Sequence, residues 1–421
     1  MSRKKTSCLL ILLALVGVAG CRSLDTHDRL AKKHALSNEW GGLAASIRSL
    51  GGTTLSDQPL RLEHTLKNIT NKPVIIHDLE NSFLPELDAK AGIAEFVKKF
   101  AIDLLVPQNA LTIPMNLPFG MALTEFIAET GIHTIAHHHD FYWERQRFMI
   151  NAVQDILDAA FPPSLPSIRH VVINTPARRE LAQRKGIAAS LIPNVFDFDT
   201  EPPAMDEYAR DLREQIGLKP EDILILQPTR LISRKGVEHA IELVRRLQEP
   251  RAKLVVSHSA GDEGLGYYQW LRDLAQSEGV DMRFVANRFS ETRKFDEQGR
   301  KIYTLWDMYP HADLITYPSV YEGFGNAFLE AIYFRKPIVV NRYSVYMLDI
   351  EPLGFETVTM DGYVSDDVIE KVRHVLNDPE LRKQMADRNF AIAKQHFSLA
   401  VLRRRLHNLI ESAQHTPPGE F

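Results

Sequence analysis

The chain has little cysteine, no excess of basic charge and no long apolar run. Its 421 residues include two cysteines, both within the first 21 positions, so no disulfide framework indicates a compartment. The formal net charge is −4 and the pI is near 6.5, which disfavours a nucleic-acid partner because such proteins present a strongly basic face. We find no internal repeat and no low-complexity tract. At 44% hydrophobic and 25% charged residues, the composition predicts two folded domains with sizeable cores.

The longest apolar run lies at the N-terminus. Basic residues at positions 3–5 precede twelve apolar residues, Cys8 to Ala19, and the segment ends in Val18-Ala19-Gly20-Cys21. This pattern resembles a bacterial lipoprotein signal peptide with Cys21 as the lipidated residue, and the run is too short for a permanent membrane-spanning helix. The alternative is that Leu9 to Ala19 forms the first buried strand of a sheet. We therefore predict that residues 1–21 form a signal-like leader or a first strand.

The rest of the chain alternates between strands and helices. From Lys72 onward, strands predicted at PVIIHD, IDLLVPQ, HTIAHHH, VVIN and ASLIPN are separated by helices, one of them after Trp143, which is typical of a doubly wound sheet. A Pro-rich linker at Phe198 to Tyr208 precedes a second α/β series. Before Lys72 the pattern is poor, and LAASIRSLG, after Gly41-Gly42, is expected to open the first helix. The predicted division is 1–21 leader or strand, 22–200 first domain, 201–395 second domain, 396–414 amphipathic helix and 415–421 disordered tail.

The segment YEGFGNAFLEA carries two carboxylates, Glu322 and Glu330, eight residues apart around a glycine-containing turn that opens a helix. The backbone of Gly325-Asn326-Ala327 can cradle a phosphate, because a helix N-terminus carries unpaired N–H groups and partial positive charge. The two carboxylates could then reach hydroxyl groups on either side of that phosphate. The spacing alone is also compatible with an ordinary solvated helix.

A second motif is the strand Ile223 to Gln227, which is followed by a loop with Arg230 and Lys235 and then by an amphipathic helix. Ligands of open α/β sheets bind at the carboxyl ends of the strands, so both cations are predicted to lie where phosphates bind. They could neutralise a departing diphosphate without a metal ion. The alternative is a basic surface loop.

Together with IPNVFDFD at Ile192 to Asp199, the TRLISRKG and EGFGNAFLE motifs resemble those of the family-4 retaining glycosyltransferases. The resemblance covers about Ile102 to Ile410. It implies the GT-B fold, with two Rossmann-like domains facing a cleft and a C-terminal helix crossing back to the first domain. By the same resemblance Arg230 and Lys235 hold the donor diphosphate, Glu322 the donor sugar and Glu330 the ribose, while Asn194 marks the domain junction.

Three further segments, AHHHDFYWER, RHVVIN and SHSAGDEG, resemble a subgroup that includes mannosylglucosylglycerate synthases. That subgroup implies GDP-mannose as donor and a small sugar or glycerate-type acceptor. The same resemblance places His139 beside the donor hexose, with His138 as the alternative. Related transferases that use UDP- or ADP-sugars, and a non-catalytic lipid-anchored sugar-binding protein, are the competing interpretations.

No metal or other cofactor is expected. Consecutive histidines at 137–139 point to opposite faces of a strand and cannot converge on one ion. The D-x-D pattern of Asp197 and Asp199 lies at a domain junction, where a carboxylate is expected to cap the next segment. Asp262 and Glu263 are expected to form a solvated turn rather than a ligand contact. The preference for the nucleotide base and for the hexose is expected to depend on the backbone around Phe284 to Arg288. The donor chemistry favours the cytoplasm and the leader favours a membrane-anchored lipoprotein, so the compartment stays open, and membrane contact is expected only through the leader.

Overall fold

A computed structural model describes residues 8–12, 43–49, 62–68, 86–259 and 265–415. The chain divides into two compact units. The first comprises Met1–Ile173, Ala177–Ile192 and His407–Phe421, and the second comprises Asn174–Pro176 and Pro193–Leu406. The division at Pro193 lies eight residues before the predicted boundary.

The first unit is built around a parallel sheet. Its elements are β1 (Cys8–Leu12), β2 (Leu43–Ser49), β3 (Leu62–Asn68), α1 (Glu86–Phe100), β4 (Ile102–Pro107), α2 (Leu117–Thr130), β5 (His133–His138), α3 (Gln146–Met149), α4 (Gln154–Ala160), β6 (Ile168–Val172), α5 (Thr175–Lys185), whose first two residues belong to the second unit, and β7 (Ala189–Leu191). Within the described residues the sheet order is β1-β4-β5-β6-β7, with every neighbouring pair parallel. Helices α1 and α2 pack on it around Leu105, Phe126 and Ile127, as expected for strands that are buried on both faces.

Two predicted helices differ in the structure. LAASIRSLG does not open a helix, because Leu43–Ser49 is strand β2 and pairs antiparallel with β3. From Ala45 to Arg48 this segment alternates apolar and polar residues, which is the period of a strand. The helix after Trp143 is split into α3 and α4, since the Asn151 side chain accepts a hydrogen bond from the Val153 N–H at 3.0 Å and turns the backbone between them.

The apolar run at the N-terminus contributes strand β1, which pairs in parallel with β4. This pairing is what the strand interpretation expects for five residues of the run. Residues 13–42, including Cys21 and Gly41-Gly42, the predicted strand PVIIHD at 73–78 and the tail from 416 lie outside the described residues. The leader interpretation stays a prediction. No helix in the described ranges combines the length and apolarity needed to cross a bilayer.

The second unit is another parallel α/β sheet. Its elements are α6 (Leu212–Gln215), β8 (Ile223–Gln227), α7 (Val237–Leu247), β9 (Ala252–Val256), α8 (Leu265–Ser277), β10 (Met282–Phe284), β11 (Lys294–Phe295), β12 (Lys301–Ile302), α9 (Leu305–Met308), β13 (Leu314–Tyr317), α10 (Asn326–Tyr333), β14 (Ile338–Asn341), β15 (Val358–Met360), α11 (Asp366–Asn377), α12 (Pro379–Phe397) and α13 (Leu399–His415), whose last residues belong to the first unit. The sheet order within the described residues is β10-β9-β8-β13-β14-β15.

Sequence periodicity explains how α7 packs in this unit. The predicted apolar stripe of α7 is buried: Val237, Ala240, Ile241, Val244 and Leu247. It packs against β8 and β9 in one core. Because β8, β9 and β13 are neighbouring parallel strands, the loops that follow them emerge at one edge of the sheet.

Candidate functional site

Two loops meet at the carboxyl ends of β8 and β13. The Val320 N–H donates to the Arg234 carbonyl at 2.9 Å. Gly236 has φ +59°, and a Cβ added there would lie 2.5 Å from the Pro318 carbonyl oxygen. Only glycine combines this left-handed conformation with such a close backbone approach. The glycine of the TRLISRKG motif therefore lets the cationic loop lie directly against the loop that carries Glu322.

This approach creates a buried ion cluster. The Lys235 ammonium binds Glu322 Oε1, and Arg234 Nη1 lies 3.1 Å from Oε2 of the same carboxylate. The side chains of Lys235 and Glu322 are 11% and 8% exposed, whereas Arg234 is 40% exposed. Burial of a charged pair of this kind is favourable only when the partners neutralise each other closely. Glu322 therefore orients Lys235 in this structure.

The cluster carries more positive than negative charge. Burial alone would raise the pKa of Glu322, but the charges of Lys235 and Arg234 outweigh it and hold the pKa below its usual range. Burial lowers the pKa of Lys235, and the neighbouring charges of Arg234 and Arg230 lower it further against the opposing effect of Glu322. Two cations thus contact one carboxylate, and Arg230 lies close enough to Lys235 to affect its pKa. A bound anion would relieve their mutual repulsion.

A histidine that the sequence interpretation did not single out lies beside these cations. His258 follows β9 and its Nδ1 lies 2.9 Å from the Ser257 hydroxyl. Burial lowers the pKa of His258 to about 4, and the charges of Arg230 and Lys235 act in the same direction. The ring is therefore neutral at pH 7. His258 belongs to the SHSAGDEG segment, whose resemblance to the subgroup could have indicated it. The residues considered in that segment were Asp262 and Glu263, which lie outside the described residues.

The predicted phosphate cradle is the first turn of α10. Gly325 has φ +118°, and a Cβ there would overlap the Tyr343 hydroxyl. Among the residues that the structure describes, no side chain caps the turn formed by Gly325, Asn326 and Ala327, so its backbone N–H groups are oriented for an anion. Asn194 donates to the Asn326 side-chain oxygen at 2.8 Å.

Glu330 lies on the second turn of α10, as its spacing predicts. It is partly exposed, and Tyr309 donates a hydrogen bond to its Oε2 at 2.7 Å. Tyr309 is itself buried and stacks on Phe334 with ring centroids 4.8 Å apart. Burial raises the pKa of Glu330, and the Tyr309 hydrogen bond opposes that shift. Sequence alone did not reveal Tyr309, because it comes from a separate 3₁₀ turn, Tyr309–His311.

The histidines of β5 lie in the first unit. His138 is 1% exposed, and its Nε2 contacts His170 Nδ1 at 2.9 Å. His139 is partly exposed, and its Nε2 lies 3.0 Å from Gln108 Oε1. In the described part of the chain, no group of three His, Cys, Asp or Glu side chains is placed to hold a metal ion.

The D-x-D residues make local contacts. Asp197 accepts hydrogen bonds from the Thr200 hydroxyl at 2.8 Å and the Asp199 N–H at 3.3 Å, as expected for a capping carboxylate. Asp199 lies 3.5 Å from Lys394. The preference for the nucleotide base was predicted to depend on backbone around Phe284 to Arg288. In that segment Ala286–Arg288 form a 3₁₀ turn after β10. Arg288 there is buried and donates to Gln215 at 3.0 Å.

Residues 209–391 match the family of group 1 glycosyl transferases. Over 328 residues the chain is 34% identical to the mannosylglucosylglycerate synthase of Thermotoga maritima, covering 70% of this chain and 73% of that protein. It is 31% identical to the mannosylglucosylglycerate synthase of Petrotoga mobilis, covering 72% and 77%. The structure of Anabaena Alr3699/HepE in complex with UDP and glucose matches with a TM-score of 0.59 at 15% identity, covering 81% of this chain and 86% of that one. The chain therefore belongs to the group 1 glycosyltransferases and is a transferase with two Rossmann-like α/β domains of the GT-B type.

Proposed function

We propose that the protein transfers a hexose, with retention of anomeric configuration, from a nucleotide-diphosphate sugar to a hydroxyl of a small sugar or glycerate-type acceptor. The names of the two relatives favour mannose as the transferred hexose, and we propose GDP-mannose as its donor. The observation that carries the proposal is the excess of positive charge around Lys235, beside an uncapped helix N-terminus. These are the groups that a departing diphosphate requires.

In this proposal the donor diphosphate occupies the space between the cationic loop and α10. Lys235 and Arg230 supply positive charge, and the backbone of Asn326 and Ala327 supplies N–H groups. Glu322 keeps the Lys235 ammonium in place, and Glu330, oriented by Tyr309, accepts hydrogen bonds from the ribose. Fixed groups of this kind stabilise the leaving group without reorganising during the reaction.

Breaking the bond between the anomeric carbon and the phosphate oxygen produces an oxocarbenium-like state and a diphosphate with additional negative charge. The acceptor hydroxyl then bonds to the anomeric carbon on the face that the diphosphate leaves. Its proton passes to a phosphate oxygen on that same face. No protein nucleophile is assigned, because the sequence shows no carboxylate pair suited to double displacement. His139 is proposed to contact the hexose.

The proposal also holds that no metal ion is required, because protein cations neutralise the diphosphate. Hexose transfer should therefore persist in EDTA. Lys235→Ala should lower kcat/KM on the order of a hundredfold or more, by analogy with the loss of one preorganised charge-stabilising group. Complete loss of turnover in EDTA, with recovery on adding Mg²⁺ or Mn²⁺, would contradict metal independence while leaving the transferase assignment intact.

The donor is identified by measuring thermal stabilisation of the purified protein by GDP, UDP and ADP, followed by product analysis with the sugar donor of the best-binding nucleotide. GDP is expected to give the largest shift, and mannose with retained configuration is expected in the product. A larger shift with UDP or ADP would replace the donor assignment. An inverted product would refute the retaining mechanism.

A further inference from the structure

Tyr317 is the last residue of β13, at the edge of the sheet where the cationic loop meets the loop that carries Glu322. Its side chain is 1% exposed, and the mechanism described for the donor does not involve it. The Lys235 ammonium lies 5.7 Å from the centroid of its ring, a distance at which a cation is attracted to the face of an aromatic ring. The ring of Tyr317 therefore packs against the cation that is assigned to the diphosphate.

The hydroxyl of the same side chain reaches two other parts of the site. It donates a hydrogen bond to the Glu322 carboxylate. It also lies 3.3 Å from the position that a Cβ would take on Gly325, the residue immediately before α10. One buried side chain thus adjoins the cationic loop, the carboxylate that orients Lys235, and the turn of the predicted phosphate cradle.

The Tyr317 hydroxyl keeps its proton in this environment. Burial raises the pKa of Tyr317 well above its ordinary value, and the charge of Glu322, the neighbouring Tyr343 and the hydrogen bond to Glu322 raise it further, against the opposing charge of Arg234. A phenol that stays protonated remains a hydrogen-bond donor to the carboxylate. Tyr317 is therefore suited to hold a charged partner, and not to act as an acid or base in the reaction.

Glu322 benefits from a donor of this kind because its two cations are held unequally. Lys235 is 11% exposed, whereas Arg234, which lies 3.1 Å from Oε2, is 40% exposed and is screened by solvent. Tyr317 donates from a buried position at the end of a strand, where a hydrogen bond to a charged group is stronger than at the surface. The hydroxyl therefore restrains the carboxylate independently of the exposed arginine.

We propose that Tyr317 is a positioning residue whose hydroxyl holds the Glu322 carboxylate, so that the Lys235 ammonium is presented to the donor diphosphate. This inference rests on the proposed function and adds to it the group that orients its central ion pair. Tyr317 does not touch the donor in this scheme, because it acts through Glu322 and Lys235. Its effect should therefore disappear when residue 322 is unable to accept the hydrogen bond.

A double-mutant cycle tests this dependence. Tyr317→Phe keeps the ring against Lys235 and removes only the hydroxyl, and Glu322→Leu removes the acceptor at similar size. The readout is the dissociation constant of GDP, measured by titration calorimetry on the full chain at pH 7, because binding is measurable even in a variant that does not turn over. We expect Tyr317→Phe to weaken GDP binding about tenfold in the wild-type background, the effect of one hydrogen bond to a charged group. In the Glu322→Leu background the same change should weaken it by less than about twofold.

Tyr346→Phe is the matched control. Tyr346 is fully buried in the same unit, and its hydroxyl pairs with the Thr357 hydroxyl at 2.8 Å. This variant also loses one hydrogen bond of a buried phenol, but it should bind GDP and transfer hexose like the wild type. A purely structural defect in Tyr317→Phe would lower the Tm and the fraction of binding-competent protein, and would leave the dissociation constant of the folded fraction unchanged.

Wild-type GDP affinity in Tyr317→Phe would overturn the proposal. An equal loss of affinity in both backgrounds would also overturn it, because the hydroxyl would then act independently of Glu322. If Tyr317→Phe lowers the Tm more than Tyr346→Phe does, the cycle is measured at a temperature at which every variant is folded, and its outcome decides. UDP or ADP replaces GDP as the probe if it gives the larger thermal shift. If the wild type transfers no hexose from any donor, the proposed function fails, whereas an additive cycle in an active wild type refutes only the role of Tyr317.

Discussion

The buried Lys235–Glu322 pair allows its contribution to stability to be separated from its contribution to catalysis. Lys235→Met removes the ammonium and leaves the 8%-exposed Glu322 carboxylate with Arg234 as its remaining partner. Removing one member of a buried pair typically costs about 3–5 kcal/mol. We expect the low end, about 3 kcal/mol, because Arg234 still binds Oε2, although its 40% exposure screens that contact.

The double variant Lys235→Met/Glu322→Leu removes both charges at once. Replacing a buried ion pair by apolar side chains of similar size is often close to neutral. We therefore expect the double variant to lie within about 1 kcal/mol of the wild type, and above Lys235→Met. Both variants should nevertheless lose hexose transfer by a hundredfold or more, on the order of the loss for one charge-stabilising group.

Urea unfolding and thermal melts measure the stability difference, which corresponds to about 2–4 °C in Tm per kcal/mol for a domain of this size. Glycosyl transfer under saturating donor measures catalysis. The exposed ion pair Lys371–Asp367, changed to Lys371→Met, is the matched control and should alter neither. If Lys235→Met is as stable as the wild type, or if the double variant is less stable than Lys235→Met, the two side chains are not energetically coupled.

Three further predictions concern other contacts. Gly325→Ala should destabilise the protein by about 2–4 kcal/mol, because the left-handed backbone and the Tyr343 hydroxyl both exclude a methyl group; a melt within about 0.5 kcal/mol of the wild type would contradict this. Tyr309→Phe removes a donor to Glu330 and should weaken nucleotide binding by about tenfold in calorimetry, whereas unchanged affinity would reject that positioning role. Burial holds the pKa of His170 at about 4 against an ordinary 6.5, so between these values the unfolded chain binds the extra proton and the free energy of unfolding should fall as the pH drops. His170→Asn should reduce the slope of this free energy against pH by about 1.4 kcal/mol per pH unit. An identical slope for the variant and the wild type in urea melts would refute this.

The strands and the apolar stripe of α7 were predictable because they depend on local periodicity. Ile223–Gln227 forms the predicted strand, and the buried face of α7 is the predicted set of residues. The turn before Glu330 was equally predictable, because its backbone has φ +118° at Gly325, a conformation that glycine adopts far more readily than other residues. By contrast, Leu43–Ser49 was wrongly expected to be helical, because the hydrogen bonds that decide its conformation come from β3, about twenty residues later.

The sequence by itself determined the family, the alternation of strands and helices, and the presence of cations and carboxylates at strand ends, because these are properties of residue order. Only the tertiary structure decided which of those groups are partners. It placed Arg234 on Glu322, Tyr309 on Glu330, and one oxygen of Gln108 between two histidines. Each of these contacts joins residues that are 21 to 88 positions apart in the chain. Their energies depend on burial and distance, which no spacing in the chain encodes.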